Sequence, residues 1–336
     1  MKVFELQKGF GLDALKIVER PEPKPGPGQL LLKMRAFSVN YRDLLVVKGL
    51  YNPKLRLPMV PFSDGAGEVV SVGEGVTRVK TGDRVAGIFM QKWLDGEPTD
   101  EKGRSALGGG LDGVLAEYVV LSEDGVVKVP QHLTDEEAAT LPCAAVTAWH
   151  ALVSEGAVKA GDTVLVQGTG GVSLFALQFA RLQRARVIVT SSKNEKIARA
   201  IQMGASDGVN YKHVPDWDKR VRELTGNIGV DHVVEVGGAG TMPKSLQSVR
   251  MGGRISLIGV LTGGGGQFNP MLILMKNIRV QGIFVGSRAM FEEMNRAVAL
   301  HQLRPVVDRV FPFAEAPQAL HYLESGTHFG KICLRI

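Results

Sequence analysis

The sequence predicts an α/β fold, a doubly wound parallel sheet combined with a β-rich domain, and two observations support it. From Thr134 onward, continuous apolar runs alternate with helix-like segments, which is typical of a parallel sheet covered by helices on both faces. Over about the first 125 residues, short runs of alternating polarity are separated by Pro and Gly, as in antiparallel sheets. The length of 336 residues favours two domains.

The β-rich region begins with a rigid, proline-rich connector over residues 21–28. A polar, glycine-rich loop without periodicity covers residues 91–113. The clearest strand predictions in this region are Leu30–Met34, Gly67–Val72 and Arg84–Gly87.

The α/β region opens with a helix at Thr134, because Thr134 and Glu137 have the spacing of a capping box. Six strands then make a full doubly wound sheet. The predicted strands are Thr163–Gln167, Arg186–Thr190, Gly208–Asn210, Asp231–Val236, Arg254–Val260 and Arg279–Val285. Predicted helices lie near Val172–Gln183, Glu195–Met203, Asp216–Leu224 and Pro243–Arg250.

The segment Gly161–Ser173 contains a strand, a glycine turn and the start of an apolar helix. Gly168 suits the tight turn, Gly170 lets the backbone approach a pyrophosphate, and the helix N-terminus offers unpaired amides. Ser173 stands where this fingerprint has Gly or Ala, and a structural turn without a ligand is the alternative interpretation. The context nevertheless favours a dinucleotide-binding Rossmann domain, with contacts from Gly168, Thr169, Gly170, Gly171 and Val172.

The end of the second strand favours NADPH over NADH. An NAD site places an Asp or Glu there, whereas this chain has Ser191 and Ser192, with Lys193 and Lys196 nearby. Hydroxyl and ammonium groups favour a 2′-phosphate, and Tyr211 after the third strand is placed to donate to the same phosphate. The alternative is a solvated polar turn.

Composition and charge exclude several classes of function. The net charge of +6 is modest, and no Lys/Arg block is dense enough to predict nucleic acid as the main partner. The two cysteines, Cys143 and Cys333, match no metal-finger spacing and indicate a reducing compartment. The N-terminus does not resemble a signal peptide, and no apolar run is long enough to cross a bilayer. We therefore expect a cytoplasmic protein without a membrane partner.

Three further motifs occur in the same order as the glycine turn in a known superfamily: Pro61–Val69, Gly82–Val85 and Leu141–Trp149. With them, the chain resembles medium-chain dehydrogenases/reductases along its whole length, in particular the zinc-free, quinone oxidoreductase-like branch. The resemblance implies a GroES-like catalytic domain over 1–145 and 287–336, with the Rossmann NADPH-binding domain inserted at 146–286.

Zinc-dependent members of that superfamily bind catalytic zinc through Cys, His and Cys. The matching residues here are Asn40, Ser63 and Cys143, and an amide and a hydroxyl are poor zinc ligands. Adding Asp64 still leaves fewer than three good ligands. The 91–113 loop, which matches their structural-zinc lobe, has no cysteine. The sequence therefore predicts no metal, and Cys143 is interpreted as a small buried residue.

By the same resemblance, residues 38–43 line the substrate cleft, and Asn40 and Tyr41 are the candidates for contacting the substrate oxygen. Tyr41 has an alternative role as a half-buried structural phenol. For Asp43, structural binding of local amides is the favoured interpretation. Arg42 is interpreted as solvated.

The resemblance also implies cofactor contacts at the carboxyl ends of the strands and near the C-terminus, although pure packing is an alternative for Gly259 and Phe284. These further candidates are Thr147, Val236, Gly237, Gly259, Val260, Phe284, Val285, Gly286, Phe329, Gly330 and Lys331.

The leading functional prediction is zinc-independent, NADPH-dependent hydride transfer to a small electrophilic substrate, a quinone or an α,β-unsaturated carbonyl. The alternatives are a zinc-free alcohol dehydrogenase or ketone reductase, in which Tyr41 replaces the metal, and an NADPH-binding sensor with little turnover. The resemblance also implies an oligomer, since members of the superfamily usually form dimers or tetramers that join Rossmann sheets edge to edge. The sixth predicted strand is apolar enough to be paired in this way, so we expect a homodimer.

Overall fold

Most of the strands form two large sheets, one from both flanks of the chain and one from its middle, and the first two strands form a separate antiparallel pair. The computed structural model describes residues 1–263, 265–266 and 269–336. The strands are β1 Lys2–Leu6, β2 Leu15–Glu19, β3 Gln29–Val39, β4 Asp64–Val72, β5 Arg84–Gly87, β6 Tyr118–Ser122, β7 Val126–Lys128, β8 Thr163–Gln167, β9 Arg186–Ser191, β10 Asp207–Asn210, β11 Val230–Glu235, β12 Val249–Leu257, β13 Arg279–Gly282, β14 Val307–Pro312 and β15 Lys331–Arg335.

The helices range in length from four to thirteen residues. They are α1 Tyr41–Val47, α2 Asp100–Arg104, α3 Asp135–Ala139, α4 Val146–Trp149, α5 Gly171–Leu182, α6 Asn194–Gln202, α7 Trp217–Leu224, α8 Met242–Ser248, α9 Met271–Met275, α10 Arg288–Leu300 and α11 Ala316–Glu324. Wider π-type turns at Leu141–Ala145 and His150–Ser154 flank α4.

The described residues form two compact units. One comprises Met1–Val146 with Gly286–Ile336, and the other comprises Thr147–Val285. Each of these bounds lies one residue from the predicted division. We call them the flanking unit and the inserted unit.

The sheet of the flanking unit has the order β14-β15-β3-β4-β5-β7, and β6 also pairs with β3. Its pairs are antiparallel except β14 with β15. Strand β3 extends well beyond the predicted Leu30–Met34, because its second half pairs with β15 from the far end of the chain. Phe313 packs against Phe4 and Phe37, with ring centroids 5.1 and 5.6 Å apart, in the core beneath this sheet.

The 91–113 segment contains the short helix α2, which the sequence did not predict because five residues show no periodicity. Thr99 caps α2 by accepting a hydrogen bond from the Lys102 amide. Trp93 is buried, and its indole nitrogen donates to the Gly96 carbonyl at 2.7 Å. The predicted capping box of α3 is confirmed, since Thr134 and Glu137 bond reciprocally.

In the inserted unit, the described strands form a parallel sheet of order β10-β9-β8-β11-β12-β13. This is the doubly wound order, so the predicted fold class is confirmed. Leu165, Ile188, Val233 and Ile255 pair across the central strands and are fully buried. Consecutive strands are joined by helices that cover both faces.

The last strand of this sheet is shorter than predicted. Strand β13 ends at Gly282 rather than Val285, and Val285 has a φ of +59°, which extended strands do not adopt. The Val285 carbonyl oxygen lies 2.7 Å from Nδ1 of His150, so the first and last segments of the inserted unit are joined by a hydrogen bond.

No helix in the described ranges is both long and apolar enough to cross a membrane.

Candidate functional site

The glycine turn after β8 has the backbone geometry that the sequence predicts. Gly168 has a φ of +73°, a conformation that costs other residues free energy. Ser173 Oγ donates to the Gln167 carbonyl at 2.6 Å, so the serine in the third fingerprint position ties α5 to the end of β8.

The N-terminus of α5 is open on the side of Gly170. This residue is the N-cap, no side chain caps the helix, and a Cβ built on Gly170 would meet nothing within 4 Å. Unpaired amides beside an open space form an anion-binding arrangement, so the turn fits the pyrophosphate of a nicotinamide dinucleotide.

The 2′-phosphate candidates lie at the same edge of the sheet. Ser191 is the last residue of β9, Ser192 follows it, and Lys196 lies in the first turns of α6. Tyr211 follows β10, is 41% exposed, and its amide bonds the Ser191 carbonyl at 3.1 Å. No carboxylate terminates β9, so the electrostatics of this edge fit a phosphate.

The other predicted cofactor contacts also follow the carboxyl ends of strands, because all strands of this sheet are parallel. Val236 and Gly237 follow β11, Gly259 and Val260 follow β12, and Phe284 and Val285 follow β13. Thr147 and Thr169 are buried, whereas Val260 and Phe284 are half exposed.

Glu235 organises the same edge and was missed by the sequence analysis. Its fully buried carboxylate accepts hydrogen bonds from the amides of Gly237 and Gly238, at 2.8 and 3.0 Å. It also accepts one from Gln167 Nε2 at 2.8 Å, which joins the ends of β8 and β11. A Glu at the end of an otherwise apolar strand was the available signal, since a buried carboxylate needs several donors.

In the flanking unit, Asn40 lies at the junction of β3 and α1 and is bonded to Lys331. Lys331 is 4% exposed, and its ammonium donates to Asn40 Oδ1 at 2.5 Å and to the Val39 carbonyl at 2.8 Å. Lysine has only donors, so this contact fixes which end of the Asn40 amide faces it. The side-chain nitrogen Nδ2 of Asn40 makes no hydrogen bond of ordinary geometry within the described residues. The Asn40 side chain nevertheless lowers the pKa of Asp64, against the effect of burial.

Two buried carboxyl groups accompany this pair. Burial raises the pKa of Asp43 to about 7 despite the opposing effect of Arg42 nearby. Asp43 Oδ2 accepts a hydrogen bond from the backbone amide of Asn40 at 2.8 Å. Burial also raises the pKa of Asp64, while Lys331 opposes that rise. Asp64 accepts hydrogen bonds from Ser63 Oγ at 2.7 Å and the Cys143 amide at 3.3 Å. We call Asn40, Asp43, Asp64 and Lys331 the charge cluster.

Tyr41 and Arg42 differ in their surroundings. Tyr41 is 41% exposed, so the alternative of a half-core phenol does not describe it. The prediction that Arg42 is solvated is wrong. Its guanidinium lies over the rings of Tyr51 and Phe89, 5.1 and 4.7 Å from their centroids, and donates to the Leu107 carbonyl at 2.6 Å.

The C-terminal cofactor candidates are buried in the flanking unit. Phe329 is 2% exposed, and Gly330 has a φ of +92°. The sequence groups Lys331 with the cofactor contacts, whereas the structure bonds it to Asn40. Gly286, which ends the list of candidates after β13, is the first residue of the second flanking segment.

The chain matches two families of known proteins. Residues 26–131 match the alcohol dehydrogenase GroES-like domain, and residues 171–300 match the zinc-binding dehydrogenase family. A zinc-type alcohol dehydrogenase-like protein of Schizosaccharomyces pombe is 46% identical over 333 residues, which cover 97% of this chain and 96% of that protein. The chain belongs to the medium-chain dehydrogenase/reductase superfamily.

Other members of this superfamily differ in substrate and cofactor. A quinone oxidoreductase of Sus scrofa is 32% identical over 304 residues, 88% of this chain and 85% of that protein. An NAD-dependent alcohol dehydrogenase superimposes with a TM-score of 0.92 at 34% identity, and a mycobacterial protein in complex with NADPH with 0.83 at 30%. Both alignments cover all of each chain. This protein is therefore an oxidoreductase of the superfamily, and its homologues bind a nicotinamide cofactor.

The residues at the superfamily's catalytic-zinc positions are otherwise engaged. Asn40 Oδ1 accepts from Lys331, and Ser63 Oγ donates to Asp64. Burial raises the pKa of the Cys143 thiol far above its usual range, which opposes the thiolate that zinc requires. Within the described ranges, no group of three or more His, Cys, Asp or Glu side chains is arranged to hold a metal ion.

Proposed function

We propose that this protein is a zinc-independent, NADPH-dependent reductase that transfers hydride to a quinone or an α,β-unsaturated carbonyl. One observation carries the proposal. At the position where relatives place a zinc ligand, Asn40 is bonded to the buried ammonium of Lys331. A cation that already occupies this position disfavours a second one, and an amide and a hydroxyl do not fit a tetrahedral zinc site.

The preference for conjugated substrates follows from the chemistry available without a Lewis acid. Reduction of a simple ketone places negative charge on one oxygen, which needs a metal or a strong proton donor. In a quinone or enone that charge is delocalised, so hydrogen bonds are sufficient to stabilise it. When bound, the nicotinamide supplies the hydride.

The residues of the chain itself bind the cofactor and orient the substrate. The turn at Gly168–Gly170 and the N-terminus of α5 hold the pyrophosphate, and the Glu235 carboxylate holds the loop after β11 in place. Lys331 is a positioning residue, because its bond to Oδ1 leaves Nδ2 as the donor end of the Asn40 amide. Asn40 and the hydroxyl of Tyr41 are the candidate contacts for the substrate oxygen.

NADPH is the proposed cofactor. Serines and Lys196 at the end of β9 favour a 2′-phosphate, and an acidic residue, which would repel it, is missing there. The NADPH complex of the mycobacterial relative agrees with this choice, whereas the NAD-dependent relative shows that the fold accepts both cofactors.

The test is steady-state oxidation of NADPH and of NADH with 1,4-benzoquinone, an aliphatic enone and a saturated ketone, together with alcohol oxidation by NADP⁺. Each reaction is run with and without a chelator. Chelator-insensitive turnover of the quinone or enone with NADPH is the expected result. Chelator-sensitive alcohol oxidation would contradict the proposal, and tight NADPH binding without turnover of any substrate would instead favour a sensor.

A zinc-free ketone reductase is the second candidate, and the exposed hydroxyl of Tyr41 favours it. In that case Tyr41 would donate the proton that the carbonyl oxygen takes up with the hydride, and would so stabilise the charge that a metal otherwise stabilises. Tyr41→Phe would then abolish ketone reduction, whereas quinone reduction would lose only the contribution of one hydrogen bond to the substrate oxygen.

A homodimer is proposed on the edge strand β13. All four of its residues are exposed, and Val280 and Phe284 present apolar surface there. An exposed strand edge of this kind favours pairing with another copy. A mass of twice 36.2 kDa by light scattering is the expected result, and a monomer at micromolar concentration would contradict it.

A further inference from the structure

We propose that the inserted unit has an oxyanion site at the amino end of its parallel sheet, which binds inorganic phosphate or a phosphate monoester. A polar cavity of about 180 Å³ lies there, among the segments that precede or begin β8, β11, β12 and β13. The dinucleotide candidates lie at the carboxyl ends of the same strands. The two sites are therefore separated by the length of the strands, about 3.3 Å per residue.

The strand register brings basic side chains together in this cavity. His232 of β11 pairs with Arg254 of β12, which pairs with Arg279 of β13. Directly paired residues on neighbouring strands project to the same face, so the three side chains form a row. In the same row, Val164 of β8 is fully buried, and the row becomes charged only toward the sheet edge.

The acidic groups of the cavity do not neutralise this row. Asp231 accepts from Arg250 Nε at 2.6 Å and from the Thr163 amide at 2.7 Å. Asp162 is bonded to the ammonium and the amide of Lys159, at 2.8 and 3.0 Å. Each carboxylate thus has a cation of its own.

Arg254 and Arg279 are the excess positive charges. Arg254 donates to the Glu155 carbonyl oxygen, which carries no net charge. The Arg279 side chain makes no hydrogen bond or ion pair with any part of the chain that the structure describes. Like charges in paired positions on adjacent strands are unfavourable, and a shared anion converts the repulsion into attraction.

A buried ring nitrogen supplies the second observation. His232 is 6% exposed, its Nε2 lies 3.4 Å from Asp162 Oδ2, and its Nδ1 has no hydrogen-bond partner among the described residues. An unsatisfied buried polar atom on a residue that lines a cavity indicates a missing partner.

Protonation of His232 would turn Nδ1 into a donor for the anion. Burial lowers the pKa of this imidazole, Arg254 lowers it further, and Asp162 and Asp231 oppose that. The cations Lys159, Arg250 and Arg279 also line the cavity. An anion between these groups raises the pKa of His232, and by linkage the anion then binds more tightly as the pH falls.

The test is titration of the full-length protein with sodium sulfate at constant ionic strength, followed by thermal unfolding and calorimetry. Sulfate keeps the same charge from pH 5.5 to 8, so any pH dependence belongs to the protein. Arg279→Gln is the diagnostic variant. The control Arg220→Gln removes one positive charge from exposed helix α7 of the same unit.

We expect Arg279→Gln to weaken sulfate binding at least tenfold. In sulfate-free buffer the same substitution should raise Tm, because it removes the repulsion between Arg254 and Arg279. Arg220→Gln should leave sulfate affinity unchanged. The wild type should bind sulfate more tightly at pH 5.5 than at pH 8. No saturable binding, or equal affinity in Arg279→Gln and wild type, would overturn the proposal.

Sulfate could instead occupy the proposed 2′-phosphate position near Lys196. Lys196→Ala distinguishes the two positions, because it should leave sulfate affinity unchanged while it weakens NADPH binding. If Lys196→Ala lost sulfate binding and Arg279→Gln retained it, the anion would be assigned to the cofactor edge and the proposal would be overturned. Phosphate and a phosphate monoester, titrated in the same way, identify which source binds more tightly.

Discussion

At the carboxyl edge of the parallel sheet, the candidate cofactor contacts come largely from backbone: a left-handed glycine, the amides of a helix N-terminus, and loops after strands. Around Asn40, by contrast, the candidate site consists of charged side chains removed from water. The first arrangement depends on φ and on space for a ligand. The second depends on charge balance. Substitutions in the two regions should therefore fail in different ways.

The largest effect is expected for Lys331→Met. This variant leaves the buried Asp64 carboxylate without its cation, which typically costs about 3–5 kcal/mol of unfolding free energy. Urea unfolding measures this loss of unfolding free energy. The kcat with the quinone should also fall, because Lys331 no longer orients the Asn40 side chain. The double variant Lys331→Met/Asp64→Asn should recover most of the stability but not the kcat. A loss below about 1 kcal/mol in Lys331→Met would contradict this account of the charge cluster.

The next effect is a dependence of stability on pH caused by Asp43. Its pKa is about 7 in the folded protein and 3.8 ordinarily, so between these values the folded state holds a proton that the unfolded state has lost. Stability should fall as pH rises from about 4 to about 7, by up to a few kcal/mol. Asp43→Asn keeps an acceptor for the backbone amide of Asn40, but its side chain does not titrate. The difference in unfolding free energy between wild type and variant should therefore change across this window, and a constant difference would refute the raised pKa.

Two glycines of the turn after β8, two positions apart in the chain, provide a matched pair at the other edge. Gly168→Ala places a Cβ on a residue with a φ of +73° and should cost about 1–2 kcal/mol of stability. Gly170 has a φ of −81°, so Gly170→Ala should leave stability unchanged. Its new methyl group would enter the open space beside α5 and weaken NADPH binding about tenfold. Thermal unfolding and fluorescence titration separate the two effects, and the reverse assignment would show that Gly170, rather than Gly168, is structural.

The smallest effect is expected at Lys196, which is partly exposed and therefore screened. Lys196→Ala should lower the NADPH-to-NADH preference, measured as the ratio of kcat/KM values, by about tenfold or less. Glu195→Gln, on the same helix turn, is the control and should leave the ratio unchanged. An unchanged ratio in Lys196→Ala would leave the serines at the end of β9 as the source of any preference.

The sequence predicted the carboxyl edge well because its determinants are local. Gly168 must be glycine for its φ, and parallel strands bring their carboxyl ends to one edge whatever loops join them. It did not predict the charge cluster, since Lys331 and Asn40 are 291 positions apart and meet only through the pairing of β15 with β3. Arg42 was assigned to solvent because the rings that it contacts, Tyr51 and Phe89, are not at helical spacing from it.

The hydrogen bond between His150 and Val285 bears on the order in which the chain folds. Pairing β3 with β15 directly would require closing a loop of nearly the whole chain, at an entropic cost that grows with loop length. If the inserted unit folds first, its first and last segments are already within bonding distance, and the loop that remains is shorter by the length of that unit. Folding of the middle of the chain would then precede the pairing of β3 with β15. In refolding experiments, the secondary structure of the inserted unit should therefore form before Phe37 becomes buried.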